Sequence, residues 1–279
     1  MIVDSHVHVV APDESAYPLS PRPLSGEWYR EAPHSAEDLL ALMDASGVDR
    51  AVLVQPVGAY SFDNRYTADS AARYPDRFAG ACCVDVDAAD SGAELAGWLG
   101  AGGVQGVRLF AIGRGPAWLA EDRAAGLWEC AAAHGAHVIA TVLTHQLPQL
   151  DAALSRFPEI PVSLDHCGFP PLTSAAGDGA EALFALADHA NLHLKLSTHV
   201  LDVAEKLGDA REFVATLVRR FGAERMMWGS DFCQTHDRSY AALVELGRRA
   251  FSDLPTRERD LCLGGTALQL WPSPGGSPA

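Results

Sequence analysis

The sequence predicts an α/β fold, a (β/α)8 TIM barrel. Eight short β-branched runs alternate with helical patterns from one end of the chain to the other. Because helix-length segments connect the strands, the sheet should be parallel, and eight such units favour closure into a barrel without exposed edges. A length of 279 residues, 48% of them hydrophobic, suits one such barrel.

The predicted strands are eight short runs rich in β-branched residues. They cover residues 2–9, 50–56, 78–85, 104–110, 137–143, 161–167, 192–198 and 225–231. The predicted helices cover 35–47, 64–74, 91–101, 120–134, 147–157, 178–190, 209–221 and 239–251. In the first helix, Ser35 is placed to cap the N-terminus with Asp38 three residues later, and Gly47 ends the helix.

Two segments lie outside the eight units. Residues 11–34 are rich in proline and carry Trp28 and Tyr29, and a connection of this length after strand 1 predicts a lid or a substrate wall, with Tyr29 contacting substrate. Residues 273–279 contain only Pro, Ser, Gly and Ala and are predicted to form a flexible tail. We therefore expect one barrel domain over 1–272.

Charge and composition narrow the classes of partner. A net charge of −15 repels phosphate backbones and anionic lipid, so we expect a small-molecule substrate rather than nucleic acid or a membrane. No apolar run of signal-peptide or membrane-helix length is visible. The six cysteines form no C-x-x-C pair, which favours reduced thiols in a cytoplasmic protein. The sequence leaves a homo-oligomer open.

His6 and His8 are two residues apart on strand 1, so both should project from one face. The other face carries valines that suit packing against helices, which turns the imidazoles inward near the C-terminal mouth of the barrel. The alternative is a pair of satisfied core histidines, but two inward imidazoles need a metal or a polar network.

Asp231 ends strand 8, which neighbours strand 1 in a closed barrel. Its carboxylate should reach the same point as His6 and His8, where it can bind a metal or take a proton from water. Its alternative role is to cap the following helix. His166 ends strand 6 and is expected to polarise a substrate carbonyl or orient water, with a backbone-bonded buried histidine as the alternative.

Two inward cations are predicted on other strands. Arg108 at the end of strand 4 suits recognition of a carboxylate or another oxyanion, although an internal salt bridge competes with that role. For Lys195 on strand 7, a contact with substrate and a structural ion pair are equally expected roles. Asp4 is expected to be a buried polar anchor.

These motifs resemble the amidohydrolase superfamily, and in particular its amidohydrolase-related hydrolases. The matching pieces are Val3–His8, Gly106-Val107-Arg108, Leu164-Asp165-His166-Cys167-Gly168, Lys195-Leu196-Ser197, Trp228-Gly229-Ser230-Asp231-Phe232 and Gly265-Thr266-Ala267-Leu268. The resemblance implies that the strand 1 histidines and the strand 8 aspartate surround a divalent metal or a water, and that the aspartate acts as base.

Within this superfamily the chain is similar to the 2-pyrone-4,6-dicarboxylate lactonase branch. Phe169 and the apolar stretch around Leu201 stand where that branch is expected to carry arginines, and Thr141 occupies its strand 5 tyrosine position. A pocket without two arginines should not favour a dicarboxylate. We therefore expect Thr141 to contact a less charged substrate, such as a lactone or ester with one acidic group.

The resemblance also bears on the metal. Neither lysine of the chain, Lys195 or Lys206, lies where a bridging lysine would hold a binuclear centre. We expect one divalent ion, zinc, held by His6, His8 and Asp231 with an open position, and a metal-free site is the alternative.

The predicted function is hydrolysis of a lactone, or of a related ester or amide, with Asp231 activating water and His6, His8 and His166 stabilising the oxyanion. The first alternative is a metal-dependent decarboxylase of an unsaturated or aromatic acid. The second is a binding protein on a barrel that has lost its activity.

Overall fold

Eight parallel strands form one sheet in sequence order in the computed structural model, which describes residues 1–22, 24, 26–112 and 118–273. Beyond the last strand, the Asp231 N–H donates to the carbonyl of His6, 2.9 Å away, and Phe232 bridges to Val7, which brings the last strand beside the first. The predicted barrel is therefore confirmed. The strands are β1 (Val3–Val7), β2 (Arg50–Val54), β3 (Phe78–Cys83), β4 (Val104–Phe110), β5 (His137–Thr141), β6 (Val162–Leu164), β7 (Leu192–Ser197) and β8 (Met226–Gly229).

Helices follow the strands, and the longer ones cover the outside of the barrel. They are α1 (Trp28–Glu31), α2 (Ala36–Ser46), α3 (Val57–Tyr60), α4 (Arg65–Arg73), α5 (Ser91–Gly100), α6 (Asp122–His134), α7 (Leu147–Arg156), α8 (Glu181–Phe184), α9 (Thr198–Leu207), α10 (Ala210–Phe221), α11 (Tyr240–Ala250), α12 (Thr256–Asp260) and, after a π-helical segment at Leu261–Gly265, α13 (Thr266–Leu270). Within the described residues, no helix combines the length and the apolar character that crossing a membrane requires.

Local signals explain where these elements begin and end. The Ser35 side chain accepts from the Asp38 N–H and the Asp38 side chain accepts from the Ser35 N–H, so α2 begins with the expected capping box. Gly47 closes the helix with a φ of 66°, a conformation that favours glycine.

Several elements differ from the predicted pattern, and three of them border the site or its neighbouring loops. The strand predicted at 161–167 stops at Leu164, because His166 and Cys167 take φ values of 53° and 52° and leave the extended conformation. The helix predicted at 178–190 is reduced to α8, which begins only after Gly179 with its φ of 93°. The helix α9 was not predicted, although its buried Val200, Leu201 and Ala204 have helical spacing.

The segment at 11–34 is anchored to the barrel at several points. The Val10 N–H donates to the carbonyl of His34 at 2.8 Å, which fixes the two ends of the segment together. The Tyr17 hydroxyl donates to Asp69 on α4 at 2.8 Å. Most of the predicted tail at 273–279, and residues 23 and 25 of the predicted lid, lie outside the described residues. The division into one domain over 1–272 and a tail stays a prediction.

Candidate active site

A cavity of about 710 Å³ opens at the C-terminal ends of the strands. This is the end at which enzymes with this fold place their active sites. Its described lining consists of His8, Leu24, Trp28, Pro56, Val57, Gly58, Arg108, Phe110, Ile112, Thr141, Leu143, His166, Phe169, Thr198, His199, Asp202, Asp231, Gln234, Thr235 and Asp237. Four predicted site residues other than Asp231 are in this set: His8, His166, Arg108 and Thr141.

The two histidines of β1 have one ring nitrogen fixed and the other directed to a common point. His6 Nδ1 lies 3.0 Å from Asp165 Oδ1, and His8 Nδ1 lies 2.7 Å from the carbonyl oxygen of Val54. Because each Nδ1 faces an acceptor, the proton belongs on Nδ1 and leaves a lone pair on each Nε2. Both Nε2 atoms lie 3.6 Å from Asp231 Oδ1.

Asp231 follows β8 with a φ of 61°, an uncommon backbone conformation for aspartate. Its Oδ1 is buried and has no hydrogen-bond partner among the described residues, and the same is true of His6 Nε2. Burial alone would raise the pKa of Asp231, but the neighbouring imidazoles of His166, His8 and His6 hold it below its usual range. The group therefore stays a carboxylate.

These three residues fit a divalent cation. One ring nitrogen each of His6 and His8 and one carboxylate oxygen of Asp231 lie within 4.8 Å of one another. Three such protein ligands with an open position are typical of catalytic zinc sites, and the carboxylate behind His6 is the usual support of a metal-bound imidazole. The site therefore combines the donor set and the supporting bond that a metal would require.

Asp165 organises the polar network below this site, and the sequence analysis did not select it. Its Oδ1 lies 3.0 Å from His6 Nδ1 and 3.3 Å from Lys195 Nζ. Its Oδ2 accepts from the Thr141 hydroxyl at 2.6 Å and from Arg108 Nε and NH2 at 3.1 Å. With both oxygens engaged by protein donors, Asp165 is not free to bind a metal itself.

The charges in this network stabilise one another. Burial alone would raise the pKa of Asp165, but the charges of Lys195 and Arg108 and the hydrogen bond from His6 hold it well below its ordinary value. Burial lowers the pKa of Lys195 to about 8, although Asp165 opposes the change. Burial also lowers the pKa of His6 to about 3, so this imidazole is neutral.

The geometry assigns the two predicted cations to this network. Lys195 is fully buried and is not part of the described cavity lining, so it forms the structural ion pair that was one of its two predicted roles. Arg108 lines the cavity but is 5% exposed and paired with Asp165. The competing salt bridge therefore takes up much of its capacity for a substrate oxyanion.

His166 lies beside the three candidate metal ligands. Its Nδ1 is 2.7 Å from the hydroxyl oxygen of Ser197 at the end of β7, and its ring centre is 5.0 Å from that of His6. Burial lowers the pKa of His166. A neutral imidazole held in this way can donate to, or accept from, a group bound in the cavity.

The predicted lid places Trp28, rather than Tyr29, at the site. The Trp28 ring stacks on the His8 ring with 5.5 Å between their centres, and Trp28 lines the cavity. Tyr29 is buried, contacts the edge of the Trp28 ring and is not part of the described cavity lining. Tyr29 therefore lies behind Trp28 rather than on the described cavity wall, and its contact with substrate stays a prediction.

The outer wall carries charge that motif analysis missed. Asp202 on α9 and Asp237 after β8 line the cavity, and Arg238 binds both carboxylates, with 2.9 and 2.7 Å to Asp202 and 3.0 and 2.7 Å to Asp237. No motif marks these residues. They come together because α9 packs beside the loop that follows β8.

Comparisons with known proteins agree with this architecture. The family model described as Amidohydrolase matches residues 3–273. An L-fucono-1,5-lactonase from Burkholderia ambifaria is 29% identical over 236 residues, which cover 82% of this chain and 79% of that protein.

Two solved structures are also similar. A candidate 2-pyrone-4,6-dicarboxylic acid hydrolase from Pseudomonas putida is 26% identical, with a TM-score of 0.78 and coverage of 97% of both chains. An amidohydrolase from Burkholderia multivorans with bound zinc is 23% identical, with a TM-score of 0.77, 98% of this chain and 100% of that chain covered. Both have the fold described above.

Proposed function

The chain belongs to the amidohydrolase family, whose model matches residues 3–273, and we propose that it hydrolyses a neutral lactone. The observation that carries the proposal is Asp231 Oδ1, which has no hydrogen-bond partner among the described residues and faces two imidazole Nε2 atoms at the cavity. A buried carboxylate of this kind is suited to take a proton from water beside a bound ester. The lactonase relative supports the same class of reaction.

The residues present account for both halves of the reaction. The water oxygen bonds to the lactone carbonyl carbon while Asp231 accepts the proton, and His166 donates to or orients the carbonyl side of the adduct. The bond between the carbonyl carbon and the ring oxygen then breaks. The proton held by Asp231 passes to the departing ring oxygen, and a hydroxy acid is released.

We propose zinc as the ion that His6, His8 and Asp231 hold. When bound there, a divalent ion would polarise the carbonyl and lower the pKa of a water ligand. His6 is oriented for this role by Asp165, and His8 by the carbonyl of Val54. The zinc in the Burkholderia multivorans protein supports the choice of ion for this family fold.

Elemental analysis of protein purified without added metal tests this assignment. We expect about one equivalent of zinc in the wild type and its loss in His6→Ala, since three protein ligands define such a site. His137→Ala is the matched control, because that buried histidine bonds to Ser163 and not to the site. A native fold with no metal, retaining full lactonase activity, would contradict the zinc assignment and support the metal-free alternative.

The charges around the cavity support a neutral substrate. The described lining contains three carboxylates, Asp202, Asp231 and Asp237, and one guanidinium, Arg108, which is already paired with Asp165. Arg238 is shared between Asp202 and Asp237, so this part of the wall keeps a net negative charge. A dianionic pyrone would have to displace that pair or lie against like charges. We therefore favour a neutral hydroxylated lactone over the mono-acidic substrate that the sequence suggested.

Initial rates on a small panel test this preference. We expect kcat/KM for L-fucono-1,5-lactone and D-glucono-1,5-lactone to exceed that for 2-pyrone-4,6-dicarboxylate by at least about 100-fold, because repulsion between like charges costs several kcal/mol. A pH-indicator assay with an enzyme-free blank follows the acid released. A preference for the dicarboxylate would show that Arg108 leaves Asp165 to bind substrate.

The structure does not favour decarboxylation. Arg108, the residue expected to hold the carboxylate of an acid substrate, is occupied by Asp165. Carbon dioxide released from an aromatic acid, with no lactone consumed, would reverse this preference.

A further inference from the structure

The N-terminus of α9 opens into the same cavity as Asp231 and His166. Thr198 and His199, the first two residues of this ten-residue helix, line the cavity together with Asp202 one turn later. Since residues at this spacing share one helical face, the first turn presents that face to the cavity. Its leading N–H groups lack acceptors within the helix and concentrate partial positive charge there.

The Thr198 hydroxyl is a polar group without a use in the fold. The residue is 1% exposed, its Oγ1 is buried, and that oxygen has no hydrogen-bond partner among the described residues. Leaving such a group unpaired costs free energy. Because Thr198 lies on the cavity wall, a bound ligand is the available source of a partner.

The helix does not cap itself. Ser197 holds the N-cap position but makes no side-chain capping bond, and its hydroxyl is instead 2.7 Å from His166 Nδ1. A serine at the N-cap usually accepts a hydrogen bond from one of the first N–H groups of the helix. Here the Ser197 hydroxyl contacts the imidazole of His166 instead. This leaves the first turn and the Thr198 hydroxyl available beside His166.

We propose that the Thr198 hydroxyl and the first turn of α9 form an oxyanion subsite. It would bind the carbonyl oxygen of the lactone as that oxygen gains negative charge, and then one carboxylate oxygen of the hydroxy acid product. The nearest carboxylate on the same helix, Asp202, is paired with Arg238, which contacts it at 2.9 and 2.7 Å and is shared with Asp237. The inference rests on the proposed function for its first step, and the binding of a carboxylate can be measured without turnover.

Kinetics of three variants test the catalytic part. Thr198→Val keeps the shape and removes the donor, so we expect kcat to fall by about 10²- to 10³-fold with a smaller change in KM. Thr198→Ser, which keeps the hydroxyl, should retain most of the wild-type kcat. Thr216→Val is the control, because the Thr216 hydroxyl donates to Glu212 within α10, and its kinetics should match the wild type. Circular dichroism melting establishes that each variant is folded, with Thr198→Ala replacing the valine variant if that one does not fold.

Calorimetric titration with gluconate tests the binding part without a reaction. We expect binding by the wild type and Thr198→Ser, and weakening by about tenfold or more in Thr198→Val. If the wild type hydrolyses lactones but Thr198→Val keeps its kcat, the subsite is wrong and the proposed function stands. If no lactone is hydrolysed, loss of gluconate binding in Thr198→Val alone still supports the subsite. Equal binding by all variants, or no binding by any, overturns it.

Discussion

Replacing Asp231 with asparagine is expected to lower kcat for lactone hydrolysis by about 10²- to 10⁴-fold, the usual contribution of a positioned general base. The amide has the size of the carboxylate but cannot accept the proton from water. The amide oxygen is also a weaker metal ligand than the carboxylate oxygen at the site that His6 and His8 face. The zinc content should therefore fall in the same variant.

The fold should survive this change. The Asp231 N–H still donates to the carbonyl of His6, and Oδ1 has no hydrogen-bond partner to lose among the described residues. Asp90→Asn is the matched control, because Asp90 is exposed and makes no side-chain capping bond. Near-normal turnover by Asp231→Asn, with an unchanged melting curve, would remove Asp231 as the base.

Replacing Asp165 with asparagine is expected to lower the free energy of unfolding by about 3–5 kcal/mol, since it removes the anion that buried cations require. Lys195 and Arg108 are 0% and 5% exposed, and both pair with this carboxylate. Activity should fall as well, because His6 loses the acceptor that orients its ring. Urea unfolding followed by tryptophan fluorescence measures the stability.

A second variant separates the charge effect from a general loss of packing. Asp165→Asn combined with Lys195→Met removes an unpaired buried cation, so it should recover part of the lost stability. Asp63→Asn, which breaks an exposed pair with Arg65, should change stability far less. Equal destabilisation by Asp165→Asn with and without Lys195→Met would show that Lys195 is not held as an ammonium by Asp165.

The sequence predicts the fold and most of the centre of the site because both follow from regular repetition. Eight alternating units define the barrel, and the alternation of side chains along a strand brings His6 and His8 to one face. Strand ends then place Asp231 and His166 at the same mouth. The geometry agrees with these placements, and their chemical roles stay predictions.

The remaining parts depend on irregular backbone. Asp165 and His166 are adjacent, so a regular strand would send one of them outward, yet both reach the interior because the chain leaves β6 with a φ of 53° at His166. The choice of Trp28 over Tyr29 depends on the path of the 11–34 segment, and Thr198 depends on a helix that follows β7 directly. Periodicity does not determine any of these three features.

Hydrolysis in ¹⁸O-labelled water tests most directly whether this site adds water to a lactone carbonyl. Wild-type protein acts on L-fucono-1,5-lactone, with Asp231→Asn and an enzyme-free blank alongside, and mass spectrometry locates the label in the product. We predict one ¹⁸O in the carboxylate, formed by the wild type far faster than by the variant or the blank. Label in the hydroxyl group, or ring opening no faster than the blank, would contradict the account.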